Sequence, residues 1–150
     1  MKVENVALRL FHPTDQAAAR QLILNGLAEH WGTLDPARNP DLHDIGAGYA
    51  AGVFLVAVQN GRLIGTGALM PEAPGAARIV RMSVAREMRR QGIGRAILEA
   101  LLDAAQAQGY RQVVLETTAT WQEAIAFYER HGFRRVAVRD GDVHFVLDLS

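Results

Sequence analysis

The sequence predicts a single domain of the mixed α/β class, in which helices pack on a mostly antiparallel sheet. Strand-like runs lie on both sides of Asn60-Gly61 and of Asp140-Gly141, and such dipeptides favour tight hairpin turns. Between these hairpins, apolar residues recur at helical spacing. No repeat or low-complexity linker divides the chain, so residues 1–150 are expected to form one domain around one core.

The N-terminal third combines one strand with two helices. Residues 3–11 alternate as a strand does, and Thr14 or Asp15 is placed to cap the long helix that follows. After a loop that contains Gly and Pro, Asn39 and Pro40 resemble the N-cap and first residue of a second, short helix.

The rest of the chain alternates strands and helices. The strand-like segments are residues 53–59, 62–70, 77–84, 112–118, 134–139 and 143–149, and the helical segments are residues 92–108 and 121–133. The predicted order is therefore β-α-α-β-β-β-α-β-α-β-β, which describes a mixed sheet with helices on it.

The composition limits the classes of function. Lys plus Arg and Asp plus Glu number 16 each, so the formal net charge is zero, whereas binders of nucleic acid or anionic membranes usually carry a basic excess. The absence of cysteine excludes disulfides, thiolate metal sites and a cysteine-bound thioester. No stretch reads as a signal peptide or a membrane span. We therefore expect a cytoplasmic protein without nucleic-acid or membrane partners.

A glycine-rich turn carries the strongest local signal of chemistry. Gly92 and Gly94 open a helix after the fourth strand, where unpaired N–H groups and the helix dipole favour an anion such as phosphate. The sequence matches neither the dinucleotide-binding fingerprint nor the P-loop. Taken alone, the turn is also compatible with a basic patch or with an ordinary strand-to-helix connection. Its charge comes from Arg86, Arg89, Arg90 and Arg95.

Two motifs lie about thirty residues apart. Residues 89–94 read RRQGIG, and residues 115–133 combine a strand with Ala-x-x-x-Tyr and a Gly-Phe ending. Both resemble signatures of the GNAT superfamily of acyl-CoA-dependent N-acyltransferases, with some likeness to its ribosomal-protein N-terminal alanine acetyltransferase branch. The resemblance implies the GNAT fold, α/β (α+β). This is a mixed sheet of about seven strands, splayed between strands 4 and 5, with about four helices.

The resemblance also implies acetyl-CoA as the cosubstrate. The backbone of Met82, Ser83 and Val84 is expected to pair with the pantetheine arm. The turn is expected to hold the pyrophosphate through Arg89, Arg90, Gln91, Gly92, Ile93, Gly94 and Arg95. In one departure, Trp121 stands where the family often has an asparagine that touches CoA.

Two residues are candidates for proton transfer, and the lack of cysteine favours direct attack of the amine on the thioester. Tyr128 matches the family tyrosine that protonates the departing thiolate, with core packing beside Phe127 and Phe133 as the alternative. Glu116 matches the strand glutamate that resembles the base in the ribosomal branch. Its alternative is a strand-face carboxylate satisfied by an arginine. Glu72 is a weaker candidate for the base.

Residues 29–44 are expected to cover the acceptor pocket. The charged residues of this segment are Glu29, Asp35, Arg38, Asp41 and Asp44, which give it a formal charge of −3. A negative rim of this kind suits a cationic amine. His30 and His43 are candidate proton relays. The histidines show no metal-ligand spacing, so we expect no metal.

The function that these observations favour is transfer of an acetyl group from acetyl-CoA to the primary amine of a small molecule. Two alternatives stay open: transfer to a protein or peptide amino group, which Glu116 suggests, and a non-catalytic CoA-binding module, which Tyr128 disfavours. The sequence leaves open the acceptor, the acyl length and a homodimer.

Overall fold

The computed structural model describes residues 5–32 and 38–149. Within them, one sheet contains the strands β1 (Val6–Leu10), β2 (Val53–Gln59), β3 (Arg62–Ala73), β4 (Ala76–Val84), β5 (Gln112–Thr118), β6 (Arg134–Arg139) and β7 (Asp142–Asp148). Their order across the sheet is β1-β2-β3-β4-β5-β7-β6. Neighbouring strands are antiparallel except for β4 and β5, which are parallel. The predicted mixed, mostly antiparallel class is confirmed.

The parallel pair separates soon after it begins. β4 and β5 pair only where residues 76, 77 and 78 face residues 112, 113 and 114. Beyond this point β4 continues to Val84 and β5 to Thr118, so the strands face each other across a wedge. The predicted splay between strands 4 and 5 is confirmed, and it leaves backbone groups of β4 without a neighbouring strand.

Helices cover both faces of the sheet: α1 (Gln16–Trp31), α2 (Ile45–Gly48), α3 (Ile93–Ala107) and α4 (Gln122–Arg130). One buried cluster joins α1 and α2 to β2 and β3, and a second joins α3 and α4 to β2, β3, β4, β5 and β7. The predicted number and order of helices are confirmed.

The core beneath α3 fixes where this helix begins. Ile97 and Leu101 are fully buried, and burial of each side chain contributes roughly 1.5–3 kcal/mol. A Cβ atom on Gly67 of β3 would lie 2.5 Å from Ile97 and 3.0 Å from Leu101. Because only glycine permits this close packing, the helix is held against β3 and β4 with its N-terminus beside the end of β4.

The start of α1 differs from the prediction that Thr14 or Asp15 caps it. Residues 13–15 form a short 3₁₀ helix that His12 caps. Asp15 accepts hydrogen bonds of 2.7 and 2.9 Å from Arg9 and one of 2.8 Å from the backbone N–H of His12. Because these bonds engage its carboxylate, Asp15 makes no capping bond to α1.

The second predicted helix is divided in two. Pro40–Leu42 form a 3₁₀ turn, and α2 begins only after Asp44, whose carboxylate accepts a hydrogen bond of 3.1 Å from the N–H of Ala47. Asp44 has an extended backbone with a φ of −147°, which interrupts a continuous helix. Gly46 and Gly48 are poor helix formers, in keeping with so short a helix.

Candidate active site

Two cavities meet where β4 leaves β5. The first, of about 700 Å³, lies between α1, β4, β5 and the loop before α4, and is called the α1 cavity. The second, of about 1030 Å³, lies between the end of β4, the turn before α3, and α4, and is called the α3 cavity. Residues 82–84 and Tyr128 line both cavities. A molecule in one cavity can therefore reach a molecule in the other at this junction.

The turn before α3 presents backbone donors to the α3 cavity. Gly92 has a left-handed backbone, with a φ of 87°, and no side chain caps the helix that follows. The N–H groups of the first helical turn have no partner within a helix, so they are available to an anion. A Cβ atom on Gly94 would make only ordinary contacts of 3.7 Å or more, so packing does not require glycine there. The missing side chain instead leaves room beside the amides.

The predicted phosphate-binding arginines are already paired with carboxylates. Each makes a hydrogen bond of 2.7 to 2.9 Å: Arg89 to Glu29, Arg90 to Glu123 and Arg95 to Glu99. All three arginines line the α3 cavity, as predicted for a phosphate site. They would bind an anion while sharing their charge with these partners.

Arg130 is a cation that the sequence interpretation missed. It lines the α3 cavity from the last turn of α4, and no carboxylate within residues 5–32 and 38–149 pairs with it. Arg130 lies three residues after Phe127, which lines the same cavity, so helical spacing from the predicted site helix would have revealed it.

Tyr128 combines both of its predicted environments. Its ring packs against Phe127, Phe133 and Phe145, with centroids 5.2 to 6.1 Å away, and the residue is only 8% exposed. Its hydroxyl makes no hydrogen bond to a described residue, yet it is not sealed from solvent, because Tyr128 lines both cavities. Burial raises the pKa of the hydroxyl well above its usual value. The group is thus a neutral O–H donor at the junction.

Glu116 lines the α1 cavity from β5. Its Oε2 lies 3.5 Å from Nη1 of Arg78 and 3.2 Å from Nδ1 of His144, and its side chain is 44% exposed. Arg78 also donates a hydrogen bond of 2.7 Å to Glu72, which lies outside both cavities. Glu116 therefore has the arginine partner expected of a strand-face carboxylate and also the cavity position that a base would need. His144 is a neighbour that the sequence interpretation did not name.

The predicted negative rim is wrong for the three carboxylates that the structure describes. Glu29 binds Arg89, Asp44 caps α2, and Asp41 binds Arg81 with hydrogen bonds of 2.8 and 2.9 Å. Asp35 lies outside the described residues. The carboxylates fail to form a rim because each finds a cation or a helix end within the fold.

The sequence model of the Acetyltransferase (GNAT) family matches residues 17–133 of this chain. The chain belongs to the GNAT acetyltransferase family. Rat N-acetyltransferase 8 is 37% identical over 115 residues, which are 73% of this chain and 50% of that protein. Human N-acetylaspartate synthetase is 35% identical over 118 residues, 76% of this chain and 38% of that protein. The chain thus spans half or less of the length of these relatives.

Solved GNAT structures share the fold across nearly the whole chain. PaiA N-acetyltransferase from Thermoplasma acidophilum, in complex with coenzyme A, has a TM-score of 0.84 at 15% identity and covers 96% of this chain and 99% of its own. Ribosomal-protein-alanine N-acetyltransferase from Brucella melitensis has a TM-score of 0.78 at 18% identity, with coverages of 95% and 99%. The predicted GNAT fold is confirmed, and the structures that share it include a ribosomal-protein-alanine N-acetyltransferase.

Trp121, which stands where the GNAT family often has an asparagine, lies on the side of the wedge that the α1 cavity occupies. Trp121 lines the α1 cavity, not the α3 cavity, and its ring packs edge-on against His30 at 4.4 Å. His30 also places Nε2 3.1 Å from the hydroxyl of Thr120. These contacts join α1 to the loop before α4 across the GNAT wedge. His43, the other predicted relay, lines neither cavity.

The described residues of this GNAT chain contain neither a metal-ligand cluster nor a membrane-spanning helix. No three side chains of His, Cys, Asp or Glu are grouped so as to hold a metal ion. None of the helices is both long enough and apolar enough to cross a bilayer.

Proposed function

We propose that this chain is an acetyl-CoA-dependent N-acetyltransferase that moves an acetyl group directly to the primary amine of a small molecule. The observation that carries the proposal is the junction of the two cavities at residues 82–84 and Tyr128. The α3 cavity has the amides that suit a pyrophosphate, and the α1 cavity reaches the same junction from the other side. The coenzyme A complex of a protein with the same fold supports this arrangement.

The donor would lie in the α3 cavity. Backbone groups of Met82, Ser83 and Val84 would pair with its amide-containing arm, because β4 has no strand neighbour on this side beyond Arg78. The amides of the turn at residues 89–95 would hold the phosphates, and Arg130 would add charge.

The residues at the junction would provide the proton transfers. The amine would attack the thioester directly, since the chain has no cysteine to carry the acetyl group. Backbone N–H groups of β4 would stabilise the charge that develops on the carbonyl oxygen. Tyr128, whose hydroxyl is protonated at neutral pH, would donate its proton to the departing thiolate. Glu116 would take part in removing a proton from the amine.

A small acceptor fits the α1 cavity better than a folded protein does. His30 connects α1 to Thr120 and Trp121, so the two walls of the cavity meet and narrow the access to the junction. One relative is named for synthesis of N-acetylaspartate, an acetylated amino acid. Both observations favour a substrate of amino-acid size.

Release of free thiol from acetyl-CoA, measured with a panel of amines, amino acids and peptides, tests the proposal. We expect thiol release that depends on a small amine, with the acetylated product identified by mass spectrometry. Acetylation of peptides alone would favour the protein-acceptor alternative. Binding of acetyl-CoA by calorimetry, with no acetylated product from any arm of the panel, would favour a non-catalytic CoA-binding module.

A further inference from the structure

Arg81 occupies a strained bulge where β4 leaves β5. The β3–β4 register shifts between Thr66 and Ala68, so Gly67 faces two residues of β4. Arg81 has a left-handed backbone with a φ of 57°, and Thr66 donates a hydrogen bond of 2.7 Å to its carbonyl oxygen. A non-glycine residue in this conformation costs roughly 1–3 kcal/mol and persists only where its surroundings hold it. The surrounding structure therefore fixes the backbone of Arg81 at the wall of the α1 cavity.

The guanidinium of Arg81 is held on one side and open on the other. Nε and Nη2 donate to the two carboxylate oxygens of Asp41 at 2.9 and 2.8 Å, and Nη2 also donates to Asn39 at 3.2 Å. Of the five N–H groups of an arginine, this leaves the two on Nη1. No described residue accepts a hydrogen bond from Nη1, and Nη1 is not sealed from solvent. Arg81 lines the α1 cavity.

The other charged side chains of the α1 cavity have partners within the protein. Glu29 pairs with Arg89, Glu123 with Arg90, and Glu116 with both Arg78 and His144. The two N–H groups on Nη1 of Arg81 are therefore among the cationic donors of this cavity that these pairs leave open. Each of them can donate a charge-assisted hydrogen bond to an oxygen of a carboxylate.

We propose that the acceptor is an amine that also carries a carboxylate, as an amino acid does, and that Nη1 of Arg81 binds this carboxylate. The inference rests on the proposed function and names the substrate class of the same site. Arg81 directly precedes Met82 in β4. A carboxylate bound there would leave the amine of a small molecule near the segment that is expected to hold the thioester. Asp41 positions the guanidinium and does not contact the acceptor.

Matched pairs of acceptors test the inference. Phenylalanine and phenethylamine, or tryptophan and tryptamine, differ by loss of the only carboxylate and keep a primary amine. We expect the wild-type chain to acetylate the better amino acid at least about 10-fold more efficiently, in kcat/KM, than its decarboxylated partner, as for loss of one charge-assisted contact. Equal efficiency for both members of every pair would overturn the inference while leaving the proposed acetyltransferase function intact.

The variant Arg81→Gln separates carboxylate binding from a structural role. We expect it to raise the KM of the amino acid by about 30-fold, to leave kcat within about threefold, and to leave the decarboxylated amine nearly unaffected. Arg81→Lys should recover part of the loss, since its ammonium keeps the positive charge and hydrogen-bond donors. Arg62→Gln, which breaks a surface pair with Glu87, is the matched control and should change neither acceptor. Equal losses for both acceptors in Arg81→Gln would make Arg81 a brace for the fold.

A binding measurement keeps the inference testable without turnover. The amino acid is titrated calorimetrically into protein saturated with coenzyme A, for wild type, Arg81→Lys and Arg81→Gln, with circular dichroism to confirm folding. We expect the Kd of the amino acid to rise at least about 10-fold in Arg81→Gln. Should the amino acid bind wild type and Arg81→Gln equally, or bind neither, the assignment to Arg81 is wrong, whatever the outcome of the thiol-release assay.

Discussion

The two cavities on either side of the wedge are built in different ways. The α3 cavity is lined by two short stretches of chain, residues 82–95 and 122–131, and its main donors are backbone amides beside glycines. The α1 cavity depends on side chains that are distant in sequence. Arg81 and Asp41 are 40 residues apart, Arg89 and Glu29 are 60 apart, and His30 and Thr120 are 90 apart.

Because of this difference, many sequences can form the α3 cavity, whereas the α1 cavity can differ from one sequence to another. Backbone amides at a helix N-terminus are offered by many sequences, provided that small residues leave them accessible. An ion pair between distant side chains exists only when both residues are present. We therefore expect changes confined to the α3 cavity to affect mainly the donor, and changes confined to the α1 cavity to affect mainly the acceptor.

The largest expected effect follows from filling the space beside the turn. Gly94→Leu should lower the affinity for coenzyme A by about 100-fold, because the side chain blocks the approach to amides that form charge-assisted hydrogen bonds. The fold should survive, since the Cβ position of Gly94 has only ordinary contacts. Calorimetry measures the affinity, and circular dichroism checks the fold.

Two glycines of equal strain provide the control. Gly92 and Gly109 flank α3 with φ angles of 87° and 82°, and an alanine at either costs about 1 kcal/mol of stability. Gly109→Ala should leave coenzyme A binding unchanged, whereas Gly92→Ala should weaken it. If both alanines or neither weaken binding, or if Gly94→Leu binds normally, the turn does not hold the phosphates.

The same contrast explains how much of the molecule the sequence predicts. The hairpins, the order of strands and helices along the chain, and the start of α3 depend on local signals such as Asn60-Gly61 and Gly92, so they are predictable. The ion pairs of Asp41 and Glu29 depend on packing between distant elements, so their charges were assigned to an acceptor instead. No local pattern indicates the bulge at Arg81, because it arises in the pairing of β4 with β3, where the register shifts opposite Gly67.

Replacing tyrosine by phenylalanine at two buried positions, 128 and 49, tests the difference between the two cavities. Tyr128→Phe keeps the packed ring and removes the proton donor at the junction, so kcat should fall by about 10- to 100-fold, toward the low end of the effect of a catalytic acid. Tyr49 donates a hydrogen bond of 2.5 Å to Asp41, and Tyr49→Phe should raise the KM of the acceptor while kcat stays within about threefold. Steady-state kinetics on both substrates measure these effects. Full activity of Tyr128→Phe would leave core packing as the role of Tyr128.

Glu116 and Glu72 differ in their access to the α1 cavity although both neighbour Arg78. Glu116→Gln should lower kcat/KM by about 10-fold at neutral pH. The loss should shrink toward pH 10, because free amine becomes abundant near the usual amine pKa of about 10. Glu72→Gln, the matched control, should stay within about threefold of wild type. Profiles of kcat/KM from pH 6 to 10 decide between them. A Glu116→Gln profile parallel to that of wild type would exclude Glu116 as the base.

Arg130 tests the difference between the two cavities at the α3 cavity, where the donor is expected to bind. Arg130→Gln should raise the KM of acetyl-CoA by about fivefold and leave the KM of the acceptor unchanged, because one unpaired cation is lost from the α3 cavity. The effect should diminish with added salt, since screening weakens an exposed charge. Arg139→Gln on the edge strand β6 is the control, because it lies outside both cavities. An equal change in both KM values would place Arg130 outside the donor site.

The smallest expected effect concerns stability and its dependence on pH. Burial acts to raise the pKa of Asp41, but hydrogen bonds from Arg81 and Tyr49 outweigh it and hold the pKa below its usual value. A carboxyl with a lowered pKa in the folded state stabilises the fold above its unfolded pKa of about 4, and this contribution is lost as pH falls through the folded pKa.

Asp41→Asn should therefore lower the free energy of unfolding by about 1 kcal/mol between pH 5 and 7, and the difference from wild type should diminish below about pH 4. Urea unfolding at pH 3, 4, 5 and 7 measures it. Asp44→Asn is the control, because asparagine replaces aspartate at an N-cap with little loss and Asp44 has no arginine partner among the described residues. A difference between wild type and Asp41→Asn that stays constant down to pH 3 would mean that the charge of Asp41 contributes nothing. The pair between Asp41 and Arg81 would then contribute through its shape alone, and not through the charges of the two side chains.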